Sequence, residues 1–113
     1  MRLCSIAVIV LLIASPFGFA SSRSQREHGE TVLAASGCLH CHSIRNQGGH
    51  KGPDLSGVGR RMNKDRMRMQ IVDGSKSMPP FGDDLQGADL EDLLAYLHSC
   101  RDKKKTISST PSR

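Results

Sequence analysis

Aromatic residues are scarce in this chain of 113 residues, which has no tryptophan, one tyrosine and three phenylalanines. Two of them, Phe17 and Phe19, lie in an N-terminal segment that we expect to be removed, which leaves Phe81 and Tyr96. A small domain buries a modest fraction of its surface, and without large rings it has little to fill its centre. The composition therefore predicts a core that something other than side chains completes.

A long hydrophobic run is also missing. Arg2 precedes an apolar stretch over residues 6–14, and the small residues Gly18 and Ala20 stand before a possible cut after Ala20. This pattern is typical of a secretory signal peptide, and the stretch is well short of the roughly 20 residues that a spanning helix needs. We predict that residues 1–20 are a cleaved signal peptide and that the protein is periplasmic or otherwise exported. An uncleaved membrane anchor is the alternative.

The net charge of +5 is concentrated at the C-terminus. Residues 101–113, RDKKKTISSTPSR, carry five basic residues against Asp102 alone and show no apolar periodicity, which predicts a basic, disordered tail. Without interleaved aromatics, and in an exported protein, this composition favours a solvated tail, or weak contact with an acidic partner or a membrane surface, over nucleic acid. In the rest of the chain the charges segregate along the sequence, which predicts a dipolar domain if the basic and the acidic groups lie on different faces: Arg60, Arg61, Lys64, Arg66 and Arg68 against Asp83, Asp84, Asp89, Glu91 and Asp92.

No β-strand pattern occurs in residues 21–100, whereas helical signals recur. Ser24 and Glu27 form a capping-box pattern for a helix that Gly37 ends. Asn63 is a predicted N-cap for a helix that ends at residue 73, and the glycine-rich segment 46–59 predicts irregular structure. The clearest helix spans residues 88–99, where four leucines share one face: Leu90, Leu93, Leu94 and Leu97. We therefore predict a single all-α domain over residues 21–100.

The run GCLHCHSIRN brings Cys38, Cys41 and His42 close together in the sequence. A structural zinc site normally needs a second ligand pair, but Cys100 stands alone and the other histidines form no pair. A thioredoxin-like dithiol is expected in a chain with strands. Covalent haem attachment explains the spacing, because two thiols can add across the two porphyrin vinyl groups and the next imidazole then lies over the iron.

A sixth iron ligand, if there is one, is best supplied by Met78. It lies in an irregular loop, because the prolines at 79 and 80 exclude helix there. Met67 falls on the apolar face of a predicted helix, where packing is the default interpretation, and Met62 and Met69 stand among arginines.

Four motifs in order, CLHCH, GPDLSGVGRR, IVDGSKSMPPFG and LEDLLAYL, resemble those of class I (monohaem) cytochromes c and span nearly all of residues 29–97. The resemblance implies a small cytochrome c fold of three to five helices packed around one covalently attached haem c. It also implies that Cys38 and Cys41 carry the thioethers, that His42 is the proximal iron ligand and that Met78 is the distal one.

The resemblance assigns further residues around the haem. The carbonyl of Pro53 would accept the Nδ1 hydrogen of His42, and either Arg60 or Arg61 would meet a haem propionate; the sequence does not choose between the two arginines. Gly29 would allow the first helix to cross the last one close to Tyr96.

The function that follows is the transfer of single electrons between a redox protein donor and acceptor that dock transiently, with no bond-making substrate and no enzyme activity. We expect a monomer. One alternative is a five-coordinate gas-binding or peroxidatic haem protein in which Met78 is not a ligand. Another is a dedicated electron-transfer subunit of a periplasmic dehydrogenase or oxidase. Cys100 is left unpaired, and we expect a half-buried thiol rather than an intermolecular disulfide.

Overall fold

The computed structural model describes residues 21–104. The predicted signal peptide and most of the predicted tail therefore lie outside the described residues. The elements are α1 (Ser22–Ala35), a 3₁₀ turn (Cys38–His40), β1 (Ser43–Ile44), β2 (Gln47–Gly48), α2 (Val58–Arg61), α3 (Lys64–Asp73) and α4 (Gly87–Ser99). With four α-helices and one minimal strand pair in this part of the chain, the all-α prediction is confirmed. None of the described helices combines the length and the apolar character that crossing a membrane requires.

Helix α1 begins one turn earlier than the capping box predicts. The side chain of Ser21 accepts a hydrogen bond from the Arg23 amide at 3.4 Å, so Ser21 is the N-cap, and Ser24 lies inside the helix. The prediction of Ser24 as the cap is wrong, because Ser21 caps the helix and allows one more turn of backbone hydrogen bonds. Glu27 instead pairs with Arg23 at 2.8 Å. The predicted end is present, since Gly37 follows the helix with a left-handed φ of 75°.

Helices α1 and α4 cross at the centre of the domain. Gly29 is buried there, and a Cβ atom on it would lie 2.0 Å from the carbonyl oxygen of Asp92 and 2.8 Å from the Cβ of Tyr96. The close approach that we expected at Gly29 is therefore present, and only glycine allows it. Leu33, Leu93 and Leu94, each at most 2 % exposed, fill the crossing.

Helix α3 packs beside α4. The side chain of Asn63 accepts from the Arg66 amide at 3.0 Å, and the helix ends at Asp73, as predicted. Met67 and Ile71 form its buried face.

The predicted charge segregation is incomplete at this contact. Arg68 of α3 pairs with Glu91 of α4 at 2.6 Å. The basic and acidic groups thus meet where the two helices touch, and the expectation of separate charged faces is wrong for this pair.

The prediction of irregular structure over residues 46–59 is only partly correct. Ser43 and Ile44 pair antiparallel with Gly48 and Gln47, and the segment also contains the start of α2. Arg45 and Asn46, with φ values of 47° and 66°, form the two-residue turn of this small hairpin.

The ordered domain continues past Cys100, beyond the predicted boundary. The Asp102 amide donates to the carbonyl of Ser56 at 3.0 Å, and the Arg101 guanidinium donates to the carbonyl of Gly59. Residues 101 and 102 therefore belong to the folded domain, and the prediction of a disordered tail from residue 101 is wrong for these two. The composition of the segment carries no information about these hydrogen-bond partners.

Candidate functional site

One tight turn holds both cysteines of the motif and the following histidine. After left-handed Gly37, the amides of Cys41 and His42 both donate to the carbonyl of Cys38, at 3.3 and 2.9 Å. Cys38 and Cys41 are half-buried free thiols. Burial raises the pKa of the Cys38 thiol, because the thiolate would lose hydration there.

The imidazole of His42 is oriented by the loop that follows the hairpin. Its Nδ1 lies 2.8 Å from the carbonyl oxygen of Pro53, the contact that the resemblance implied. Because a carbonyl oxygen only accepts, Nδ1 carries the hydrogen, and the lone pair of Nε2 remains available to a metal.

Gly52 allows this loop to lie directly on the imidazole. A Cβ atom at Gly52 would be 2.6 Å from Cε1 and 2.7 Å from Nδ1 of His42, and the Gly52 amide donates to the Cys41 carbonyl at 2.7 Å. The motif turn and the loop are therefore one assembly around the imidazole.

Met78 lies half-buried in the loop after α3. The amide of Ser75 donates to the Met78 carbonyl at 2.8 Å, and the Phe81 amide donates to the carbonyl of Ile71 at 2.9 Å, so both sides of the loop are tied down. The Nε2 of Gln70 is 3.6 Å from the Sδ of Met78. The side-chain amide of Gln70 therefore contacts the sulfur atom that the sequence analysis proposed as an iron ligand.

Gln70 is a site residue that the sequence analysis missed. It lies next to the buried Ile71 on α3, so the available signal was one uncharged polar residue at the edge of an apolar helix face. That signal alone does not indicate a role. The other methionines differ from Met78: Met67 is 2 % exposed in the core, Met69 is 63 % exposed, and Met62 packs at the edge of the core.

The two candidate arginines at the end of α2 have different surroundings. Both arginines are exposed, but the Nη2 of Arg61 donates to the carbonyl of Asp54 at 2.6 Å, beside Pro53. Asp54 is itself fixed, because the hydroxyl and amide of Ser56 donate to its carboxylate and lower its pKa. Of the two arginines, Arg61 is the one attached to the loop that carries Pro53.

The structure groups the predicted residues into two sets on one core. Cys38, Cys41, His42 and Pro53 form the first set, and Met78 belongs to the second. Cys38 and Met78 both pack, partly buried, against the same hydrophobic core, and so do five further apolar residues: Leu39, Leu55, Met62, Val72 and Phe81. Within residues 21–104 no group of three or more His, Cys, Asp or Glu side chains is arranged to hold a metal ion.

Comparison with known proteins identifies the family of this chain. Residues 24–97 match the family model described as cytochrome c oxidase, cbb3-type, subunit III. The chain is also similar to cytochrome c-555 of Methylococcus capsulatus, with 26 % identity over 98 residues that cover 85 % of this chain and 80 % of that protein. No solved structure matches the chain significantly. Since the family model covers more than half of the sequence, the chain belongs to this family of c-type cytochromes, whose chemistry is haem-based electron transfer.

Proposed function

We propose that this protein is an exported monohaem cytochrome c that passes single electrons between redox partner proteins. The observation that carries the proposal is the hydrogen bond of 2.8 Å between His42 Nδ1 and the Pro53 carbonyl, directly beside the free thiols of Cys38 and Cys41. A histidine held in this way presents a basic Nε2 to a metal. Two thiols adjacent to it fit a haem that is attached through two thioethers.

The residues that would hold the haem follow from this chemistry. Cys38 and Cys41 would form the thioethers, and His42 Nε2 and Met78 Sδ would bind the iron. When bound, such a haem supplies a one-electron iron couple, and a methionine sulfur opposite histidine raises its reduction potential.

Contacts within the chain would hold both proposed ligands in place. The Pro53 carbonyl fixes the orientation of the His42 ring and raises its basicity. Gln70 contacts the sulfur of Met78, and the two prolines after it restrict the loop backbone, so little ordering entropy remains to be lost on ligation. Ligands held in this way need little rearrangement when one electron arrives or leaves.

The contacts of the two arginines also favour one of them as the partner of a haem propionate. Both arginines are exposed, and Arg61 donates to the Asp54 carbonyl at 2.6 Å, next to Pro53. Arg61 is therefore the arginine that we propose for the propionate, and Arg60 remains free for docking.

The anchored Met78 loop favours a six-coordinate electron carrier over a five-coordinate gas-binding or peroxidatic protein. We infer that the protein is no enzyme by itself, that it is a monomer and that it docks transiently with its donor and acceptor. The family model favours one of the alternatives, a dedicated electron-transfer subunit of an oxidase, because its description names an oxidase subunit. In that case the chemistry is unchanged, and the protein would be isolated together with a terminal oxidase rather than alone.

Covalent attachment is tested with cysteine variants expressed together with haem-maturation enzymes. The double variant Cys38→Ala/Cys41→Ala should lose haem staining on a denaturing gel, because each thiol makes one of the two bonds. Cys100→Ala is the matched control and should stain like the parent. Equal staining of the double variant and the parent would exclude attachment through this motif.

A further inference from the structure

The residues that follow α4 form a strap across α2, which we define as Cys100–Asp102. The Cys100 carbonyl accepts from the Gly59 amide at 2.8 Å, and the Arg101 side chain donates back to the Gly59 carbonyl. The Asp102 amide donates to the Ser56 carbonyl at 3.0 Å. Every residue of the strap thus bonds to the segment 56–59.

Two glycines in that segment make room for the strap and its entry. A Cβ atom at Gly57 would lie 2.7 Å from the Asp102 carbonyl oxygen. A Cβ atom at Gly59 would lie 2.1 Å from the carbonyl oxygen of His98 and 3.1 Å from that of Cys100. Real Cβ atoms do not approach backbone that closely, so the pattern Gly-Val-Gly is matched to the path of the strap.

The side chain of Asp102 extends the strap to the hairpin. Its Oδ2 accepts from Arg45 Nε at 3.0 Å. The Arg45 amide in turn donates to the Ser56 hydroxyl at 2.7 Å, and that hydroxyl donates to Asp54 at 2.6 Å. Ser56 therefore connects the strap, the hairpin turn at Arg45 and the loop that contains Asp54.

The same loop carries the carbonyl that orients His42. Asp54 directly follows Pro53, and the Leu55 amide donates to the Ser43 carbonyl at 2.8 Å. Hydrogen bonds therefore connect Asp102 through Ser56 to Asp54, the residue next to Pro53.

We propose that Arg101 and Asp102 are positioning residues for His42, acting through the loop that holds the Pro53 carbonyl. This rests on the proposed function, since it assigns the strap an effect on the haem iron. A firmly placed carbonyl strengthens the hydrogen bond from Nδ1 and makes the imidazole a better donor to ferric iron. Loosening the strap therefore raises the reduction potential.

The test uses the haem-loaded full chain and two substitutions at one position. Asp102→Pro removes the amide that donates to Ser56 as well as the carboxylate, while Asp102→Ala removes only the pair with Arg45. Lys104→Pro controls for a proline near the C-terminus, and Asp84→Ala controls for the loss of one surface carboxylate. The reduction potential should rise for Asp102→Pro, rise less for Asp102→Ala and stay at the parental value for both controls.

Hydrogen exchange supplies the second readout. In Asp102→Pro the amides of Leu55 and Gly59 should exchange roughly fivefold to tenfold faster, as expected from the loss of one or two hydrogen bonds. Faster exchange with an unchanged potential would make the strap merely structural and overturn the proposal, as would no change in either readout. If the parent itself carries no covalent haem, the proposed function fails and this proposal with it. If only the strap proposal is wrong, the parent and Asp102→Pro will both carry haem and will have the same reduction potential.

Discussion

The crossing of α1 and α4 gives a prediction in which two physical effects have opposite signs. Gly29→Ala replaces a glycine in the middle of a helix, and helix propensity alone predicts a gain of about 1 kcal/mol in the free energy of unfolding. The structure predicts the reverse, because the new Cβ would lie 2.0 Å from the Asp92 carbonyl oxygen and 2.5 Å from its carbonyl carbon.

The size of the loss follows from what must move. Real Cβ contacts are essentially never below 3.0 Å, so α1 and α4 must separate by about 1 Å at this point. The obstacle is helix backbone, which cannot turn aside as a side chain can. Overpacking of this kind typically costs about 1–3 kcal/mol, and a rigid obstacle favours the upper end. After the propensity gain, we expect a net loss of about 2 kcal/mol.

Guanidinium unfolding of the haem-loaded protein measures this loss. With a slope of about 4 kcal/mol per M, the midpoint of Gly29→Ala should fall by about 0.5 M. Ala34→Gly, at an exposed position of the same helix, is the matched control and should show the propensity effect alone, about 1 kcal/mol of destabilisation at most. A midpoint for Gly29→Ala at or above that of the parent would refute the close crossing.

Three further predictions concern single side chains. Gln70→Leu removes the donor to Met78 Sδ, which is a weak acceptor, so carbon monoxide should displace the sulfur from ferrous iron about twofold to fivefold faster. The control Gln25→Leu should not change this rate. An unchanged rate in Gln70→Leu would show that the contact does not hold the sulfur in place. Burial, with Cys100 and Glu30 as secondary causes, raises the pKa of Tyr96 to about 12. Since folding favours the neutral phenol, this stabilisation is complete below about pH 10 and is lost as the pH rises towards 12, and Tyr96→Phe should abolish that part of the pH dependence in guanidinium unfolding. Cys100 is fully buried and burial raises its pKa, so in the mature haem-loaded protein it should resist thiol reagents until denaturant is added; rapid labelling of the native protein would contradict its placement.

The helices with strong periodic or capping signals could be predicted from the sequence. The leucine face predicted a helix over residues 88–99, and the structure gives Gly87–Ser99. Asn63 caps α3 as expected. In α1 the cap is Ser21, which adds a turn of helix ahead of the predicted Ser24. Local signals thus identify an element better than they identify its first residue.

Contacts between distant segments could not be predicted in the same way. The charges of residues 101–113 suggested a free tail, yet the strap is held by backbone groups that every residue possesses. The glycine-rich segment suggested irregular structure, although two of its glycines mark where another backbone passes. Cys100 is 0 % exposed, with its thiol donating to the Tyr96 carbonyl at 3.3 Å, rather than half-buried as expected.

In the candidate site, too, local motifs could be predicted and contacts between distant residues could not. The motif spacing predicted the cysteines and His42, and the family resemblance predicted the contact with Pro53. Sequence counting could not distinguish Arg60 from Arg61, because the two arginines are adjacent. Nor could it find Gln70, whose contact with Met78 depends on how the loop folds back on α3.

The absorption spectrum of the oxidised, haem-loaded protein tests the central claim most directly. Ligation of ferric haem iron by a methionine sulfur gives a weak charge-transfer band in the far red. We predict this band in the parent and in Met69→Ala, whose side chain is 63 % exposed in the parent, and its loss in Met78→Ala. A parent without the band, or a Met78→Ala variant that keeps it, would contradict His42/Met78 ligation and the electron-carrier function that rests on it.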